Sequence, residues 1–180
     1  MIFLSISLQP YDDDAALALC QQSQIAFADV SSDAWRRDEW PFSNTQAALK
    51  EAAQLTIQSL GSQMPCAFSI VDGDTIIGLI AVTHVDACNQ NGLLGTYITP
   101  SRRGQGLQKI AKDHLFKRLP ATFKTLFCII ATSNTSSLHS IAKISLAQLV
   151  DQADFQELPT AIRMEIWRAG TPVHVYRIDL

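Results

Sequence analysis

Charge is scarce in this chain. Of its 180 residues, 17% are Asp, Glu, Lys or Arg, and 14 basic side chains against 17 acidic ones leave a formal net charge of −3. A phosphate backbone is bound by a basic face, so the balance excludes an electrostatic nucleic-acid binder and mildly favours cationic partners. Long apolar runs are also missing. None approaches the roughly 18 residues of a membrane helix, and the opening Met1-Ile2-Phe3-Leu4 lacks the basic region of a secretory signal. The expectation is a cytoplasmic protein with no membrane partner. Cysteine is sparse and scattered: Cys20, Cys66, Cys88 and Cys128 lie far apart in mostly apolar contexts. That spacing argues against a zinc site and a disulfide framework, so no metal is expected and the thiols read as small core residues. No repeat, linker or low-complexity stretch breaks the chain, and a hydrophobic content of 47% suffices for one sizeable core, giving one domain over 1–180.

What is present is a strand, a stop and a glycine-bearing turn. Leu93, Leu94, Tyr97 and Ile98 read as a buried strand, and Pro100 ends it because proline cannot continue a ladder. Leu107, Ile110, Ala111, His114 and Leu115 then recur at the spacing of one helical stripe. The first turn of a helix carries N–H groups without intrahelical partners and a partial positive charge. Gly104 and Gly106 stand where they would let an anionic phosphate approach those donors. The common nucleotide loops do not fit: no G-x-x-x-x-G-K-[ST] occurs, and Lys109 occupies the third glycine position of G-x-G-x-x-G. R-x-x-G-x-[GA] does fit, as Arg103-Gly104-Gln105-Gly106-Leu107-Gln108, with glutamine in the last position. This resembles the coenzyme A pyrophosphate loop of the GNAT superfamily of acyl-CoA-dependent N-acyltransferases.

The element order agrees with that resemblance over essentially the whole chain. Alternation predicts a strand at 4–8, and acids at 12–14 cap a helix over 15–26. An irregular stretch at 27–43 precedes a helix over 45–60, closed by Gly61 and Pro65. Strands at 67–71 and 75–85 flank Asp72-Gly73, a strong hairpin signal, and a strand at 93–98 leads into a helix over 103–118. A strand at 126–131, a helix over 136–150 and two last strands at 162–167 and 173–178 complete the reading. The resemblance implies an α/β (α+β) fold: a mixed, splayed central sheet of about seven strands flanked by about four helices. In the family the sheet opens between its fourth and fifth strands, here 93–98 and 126–131, and the pantetheine arm of the cofactor enters the gap. By position Thr96, Tyr97 and Ile98 supply the free edge, and a backbone N–H there faces the thioester oxygen.

A second family motif lies beyond the fifth strand. Asn134 to Leu146 resembles the segment in which an asparagine and a serine open a helix, with Asn134, Ser137 and Lys143 matching. Asn134 and Ser136 also read as plain N-caps, and one residue can serve both ends. Where relatives place a tyrosine acid and a glutamate base, this chain has Ile141 and Ile129, and neither can move a proton. His84 is then the candidate base, set against a plain strand-end histidine, because imidazole ordinarily changes charge near neutrality. Asp86, Cys88, Tyr97, His114 and His139 have weaker claims. Trp35, Asp38, Glu39 and Trp40 concentrate aromatic and acidic side chains suited to a cationic amine, unless the segment is only a solvated loop. The function implied is transfer of an acetyl group from acetyl-CoA to a primary amine in a ternary complex. The alternative is a GNAT-fold acyl-CoA-binding or protein-interaction module without turnover. A homodimer is an open option for the assembly.

Overall fold

Alternating burial builds the sheet. In β1 (Ile6–Pro10) Ile6 and Leu8 are buried between more exposed neighbours, the period of a strand with one face on a core. The computed structural model of the protein describes residues 5–10, 67–86, 88–121 and 123–180. The helices expected over 15–26 and 45–60 and the segment carrying Trp35, Asp38, Glu39 and Trp40 lie outside the described residues. β2 (Ala67–Asp72) and β3 (Thr75–Asp86) form the expected hairpin, with Asp72 opposite Thr75 and Gly73 at φ 59° in the turn. β4 (Asn91–Ile98) pairs antiparallel with β3 and parallel with β5 (Thr125–Ala131). With β6 (Ala147–Leu149) and β7 (Val173–Asp179) the sheet has seven strands in the order β1-β2-β3-β4-β5-β7-β6.

Three α-helices lie among the described residues: α1 (Leu107–Phe116), α2 (Thr135–Ile141) and α3 (Thr160–Ala169). On one face of the sheet α1 and α2 cover a core that includes Ile70, Ile80, Leu94, Leu115, Leu126 and Ile141. On the other, Ile162 of α3 packs with Phe127, Leu158, Val173 and Val175.

Three boundaries differ from the sequence reading. The helix expected from 103 starts at Leu107, because Gly104 and Gly106 both adopt φ 76°, a left-handed backbone that no α-helix contains. The helix expected over 136–150 ends at Ile141. Residues 147–149 instead pair with β7, whose outer edge would otherwise lack partners for its backbone groups. The segment 162–167, read as a strand because Ile162, Met164 and Ile166 alternate, is helical. Within it Ile162 is buried and Ile166, four residues on, packs half-buried against the same core, while Met164 is 44% exposed. Gly170 at φ 63° ends it, as glycine commonly ends helices. Seven strands remain, but the sixth is β6 and not 162–167.

Candidate active site

The sheet opens where the resemblance implies. β4 and β5 pair only through Asn91, Gly92 and Leu93 against Thr125, Leu126 and Phe127. Beyond that vertex β5 offers β4 no ladder partner. Thr99 N donates to Ile77 O at 2.8 Å on the β3 side, whereas Ile98 O accepts from Arg103 Nε at 2.9 Å on the other. Backbone groups alternate along a strand, so Leu94, Thr96 and Ile98 turn theirs into the gap. Two of the three expected edge residues, Thr96 and Ile98, are therefore so oriented. Tyr97 turns its backbone to β3, and its side chain is buried with the Arg103 guanidinium 5.7 Å from its ring centre.

At the open end lies the cradle. Pro100–Arg102 makes a single 3-10 turn, and Gly104, Gln105 and Gly106 follow as an exposed loop. Intrahelical bonding starts with Lys109 N to Gly106 O at 3.1 Å, so the N–H groups of Leu107 and Gln108 come before it. Gly106 is the N-cap and supplies no side-chain acceptor for them. A Cβ built on Gly104 or Gly106 would meet nothing within 4 Å. An unobstructed run of donors at a positive helix end fits a diphosphate. The two arginines just before it brace the loop. Arg102 pairs with Asp72 of the β2–β3 hairpin, and Arg103 caps Ile98 O. Leu107 anchors the helix in the core at 2% exposure, and Gln108 is half-buried beside the donors.

The opposite face of the vertex carries the histidine. Thr83 pairs with Leu93, the last residue of β4 still joined to β5. His84 follows at a bulge with φ 51°, a backbone uncommon outside glycine. Its Nδ1 is 3.0 Å from Thr83 Oγ1, its Nε2 is 3.4 Å from Glu165 Oε1 of α3, and Thr83 Oγ1 is 3.4 Å from Leu93 O. Arg168 Nη1 donates to the same Glu165 oxygen at 2.6 Å. Both ring nitrogens thus have an oxygen neighbour, which fixes the orientation of the ring. Glu165 was hidden from sequence reasoning because its segment reads as a strand; the Pro159-to-Gly170 bracket is the signal that finds the helix.

The remaining candidates separate. Asn134 Oδ1 accepts from Ser137 N at 3.0 Å, the capping role, on the α1 face of the sheet. Ile141 is fully buried in the core and Ile129 is half-buried against the α3-side core. Asp86 accepts from Asn89 N, Asn89 Nδ2 and Cys88 N. The Asn89 amides chiefly, with Cys88 N–H adding, hold its carboxyl below the usual carboxylate range, which makes it a poor base. Cys88 and His139 are exposed, and His114 lies half-buried in the last turn of α1. A second residue escaped the sequence reading. Lys112 of α1 is 4% exposed, and burial pushes its ammonium below the ordinary lysine range, countered in part by Cys128. Burial likewise pushes the Cys128 thiol up to about 11. Among the described residues no group of three or more His, Cys, Asp or Glu could hold a metal, and no helix is long and apolar enough to cross a membrane.

Solved acetyltransferases share this architecture from end to end. RimL, described as a ribosomal L7/L12 α-N-protein acetyltransferase, aligns over 99% of this chain and 91% of its own, with a TM-score of 0.67 at 16% identity. An acetyltransferase from Salmonella typhimurium that modifies the N-terminal serine of ribosomal protein L7/L12 covers 99% and 96%, with a TM-score of 0.71 at 15% identity. MccE, a microcin C7 self-immunity acetyltransferase solved with acetyl-CoA and AMP, covers 97% and 92%, with a TM-score of 0.68 at 15% identity. The chain has the fold of the GNAT acetyltransferases. No family model matches its sequence, and no curated protein matches it.

Proposed function

We propose that the protein is an acetyl-CoA-dependent N-acetyltransferase that moves an acetyl group to a primary amine, of a small molecule or a protein, by direct transfer in a ternary complex. The observation that carries this reading is the pair of glycines at φ 76° ahead of α1, opening onto a gap that starts just past Leu93 and Phe127. MccE, similar in fold, is solved with acetyl-CoA, and RimL with coenzyme A.

In this reading the N–H groups of Gly104 to Gln108 hold the diphosphate of the donor substrate. The gap-facing backbone of Leu94 and Thr96 pairs with its amide arm as an added strand would. An N–H of that edge stabilises the oxyanion that forms when the amine attacks the thioester carbonyl. Asn134 and Ser137, which open α2, border the donor on the same face. The C–N bond forms, the C–S bond breaks and coenzyme A leaves as the thiolate, which takes up a proton from water. His84 takes the proton that the amine loses, by way of the Thr83 hydroxyl at Nδ1, while Glu165 holds the ring at Nε2. The histidine and α3 lie on the face opposite the cradle helix, so amine and donor approach from different sides. We assign the acceptor to the segment carrying Trp35, Asp38, Glu39 and Trp40, whose chemistry suits a cation. The free thiols of Cys88 and Cys128 suit a reducing, cytoplasmic setting.

A thiol-release assay with acetyl-CoA and a panel of amines, including peptides with free N-termini, tests the proposal. Amine-dependent release is the expected result, and His84→Ala is expected to lower kcat about 100-fold. Unchanged kcat in that variant removes His84 from the reaction. Absence of release with every amine, while acetyl-CoA still binds, favours a binding module over an enzyme.

A further inference from the structure

Three glycines lie inside strands among the described residues, and two of them have a plain steric reason. A Cβ on Gly78 of β3 would collide with Tyr97 O, and one on Gly92 of β4 would come within 2.6 Å of Val82 Cγ1. Gly95 of β4 has no such reason, since a Cβ there would meet nothing within 4 Å. Its φ lies outside the left-handed region, and β3 and β4 pair residue for residue from Gly78 and Ile98 to Thr83 and Leu93 without a bulge. The backbone at Gly95 would accept a side chain. Glycine inside a strand is less stable than alanine, and it marks a bulge, a neighbouring backbone or a ligand that approaches closely. The first two are missing at Gly95, which leaves the third.

The free space lies where an acceptor has to come. Along β4, Leu94 and Ile98 belong to the core on the α1 face and Leu93 packs against the core on the α3 face, so Gly95 looks to the α3 side. It is the one exposed residue of β4, two places past Leu93, the last β4 residue paired with β5. Its partner across β3, Ala81, offers only a methyl. Thr83, the diagonal neighbour on the same face, holds its hydroxyl 3.0 Å from His84 Nδ1. The hollow over Gly95 thus runs from the histidine to the edge of the gap, between the gap-facing backbone of Leu94 and Thr96.

Resting on the transferase reading above, we propose that Gly95 determines which amines the protein accepts. The acceptor lies across β4 at this glycine, and the carbon that bears the amine, with one substituent on it, takes the space that a side chain would fill. Its nitrogen then faces the gap, with Thr83 and His84 beside it on the α3 side. A side chain at this position narrows the acceptor site. The donor is untouched, because it meets the cradle and the strand edge on the other face.

Thiol release from acetyl-CoA by the full chain tests it, with the amine of the panel that turns over fastest and the same amine carrying one more methyl on its amine-bearing carbon. Gly95→Ala is expected to raise KM for the parent amine several-fold and Gly95→Val about 10-fold or more, the methylated amine losing more than its parent in each. Calorimetry is expected to give an unchanged affinity for coenzyme A. Both variants are expected to unfold at the wild-type temperature or a few degrees above it, because alanine and valine suit a strand better than glycine. A glycine kept only for the fold would show no discrimination by amine size. Wild-type KM for both amines in both variants overturns the inference, as does a loss of coenzyme A affinity equal to the loss for the amine, or failure of both variants to fold. Absence of release by the wild type with every amine overturns the transferase reading itself, and this inference with it.

Discussion

At the scale of single residues, the chemistry concentrates in side chains that give up stability. Gly104 and Gly106 hold a backbone that costs other residues about 1–2 kcal/mol each, and His84 holds one without being glycine. Lys112 makes a measurable statement about pH. Its folded pKa lies below the ordinary lysine value of 10.5, so between the two the unfolded chain binds more protons and stability of the ligand-free protein rises with pH. Cys128 acts oppositely between its ordinary 9.0 and about 11, where the folded state keeps the proton and stability falls with pH. The stability difference between wild type and Lys112→Met cancels most of the cysteine contribution. Measured by urea unfolding from neutral pH upward, that difference is expected to shift in favour of the wild type as pH rises, and a flat difference contradicts the burial of the charge. The glycines and the Asn134 cap were legible because their spacing is local. Lys112 was not: a lysine beside the stripe of Leu107, Ala111 and Leu115 reads as solvated, and only the packing of the helix in the assembled fold buries it.

At the scale of elements, the account depends on α3 being a helix. In a strand Ile162, Met164 and Ile166 would share one face, whereas the helix buries Ile162 and exposes Met164. Ile162→Ala is therefore expected to cost about 2–5 kcal/mol. Met164→Ala is expected to cost under about 1 kcal/mol. Denaturant unfolding of the two variants checks this, and equal losses would restore the strand. The hairpin at Asp72, the strand ending at Ile98 and the cradle helix were readable because turn residues and apolar spacing agreed there. The end of α2 and the identity of α3 were not readable. A strand edge on β7 in need of a partner and an apolar pocket beneath Ile162 decide them, and neither exists until the sheet is assembled.

At the scale of the molecule, the sheet divides the labour. The cradle helix, the gap and Lys112 occupy one face, and His84, Glu165 and α3 the other, meeting at the vertex where β4 leaves β5. The splay itself was legible only through the family resemblance, because both strands read as ordinary buried strands and their parting is a property of the pair. The fold is shared with acetyltransferases across nearly the full chain, so the claim that remains to be measured is donor binding at the cradle. Titration of acetyl-CoA into wild type, Gly106→Ala and Gly106→Glu by calorimetry tests it most directly. The account predicts saturable heat with the wild type, retained at reduced affinity in Gly106→Ala, and none with Gly106→Glu, whose carboxylate would occupy the diphosphate position. A wild type that gives no heat with acetyl-CoA, or a Gly106→Glu variant that binds as tightly as the wild type, would contradict it.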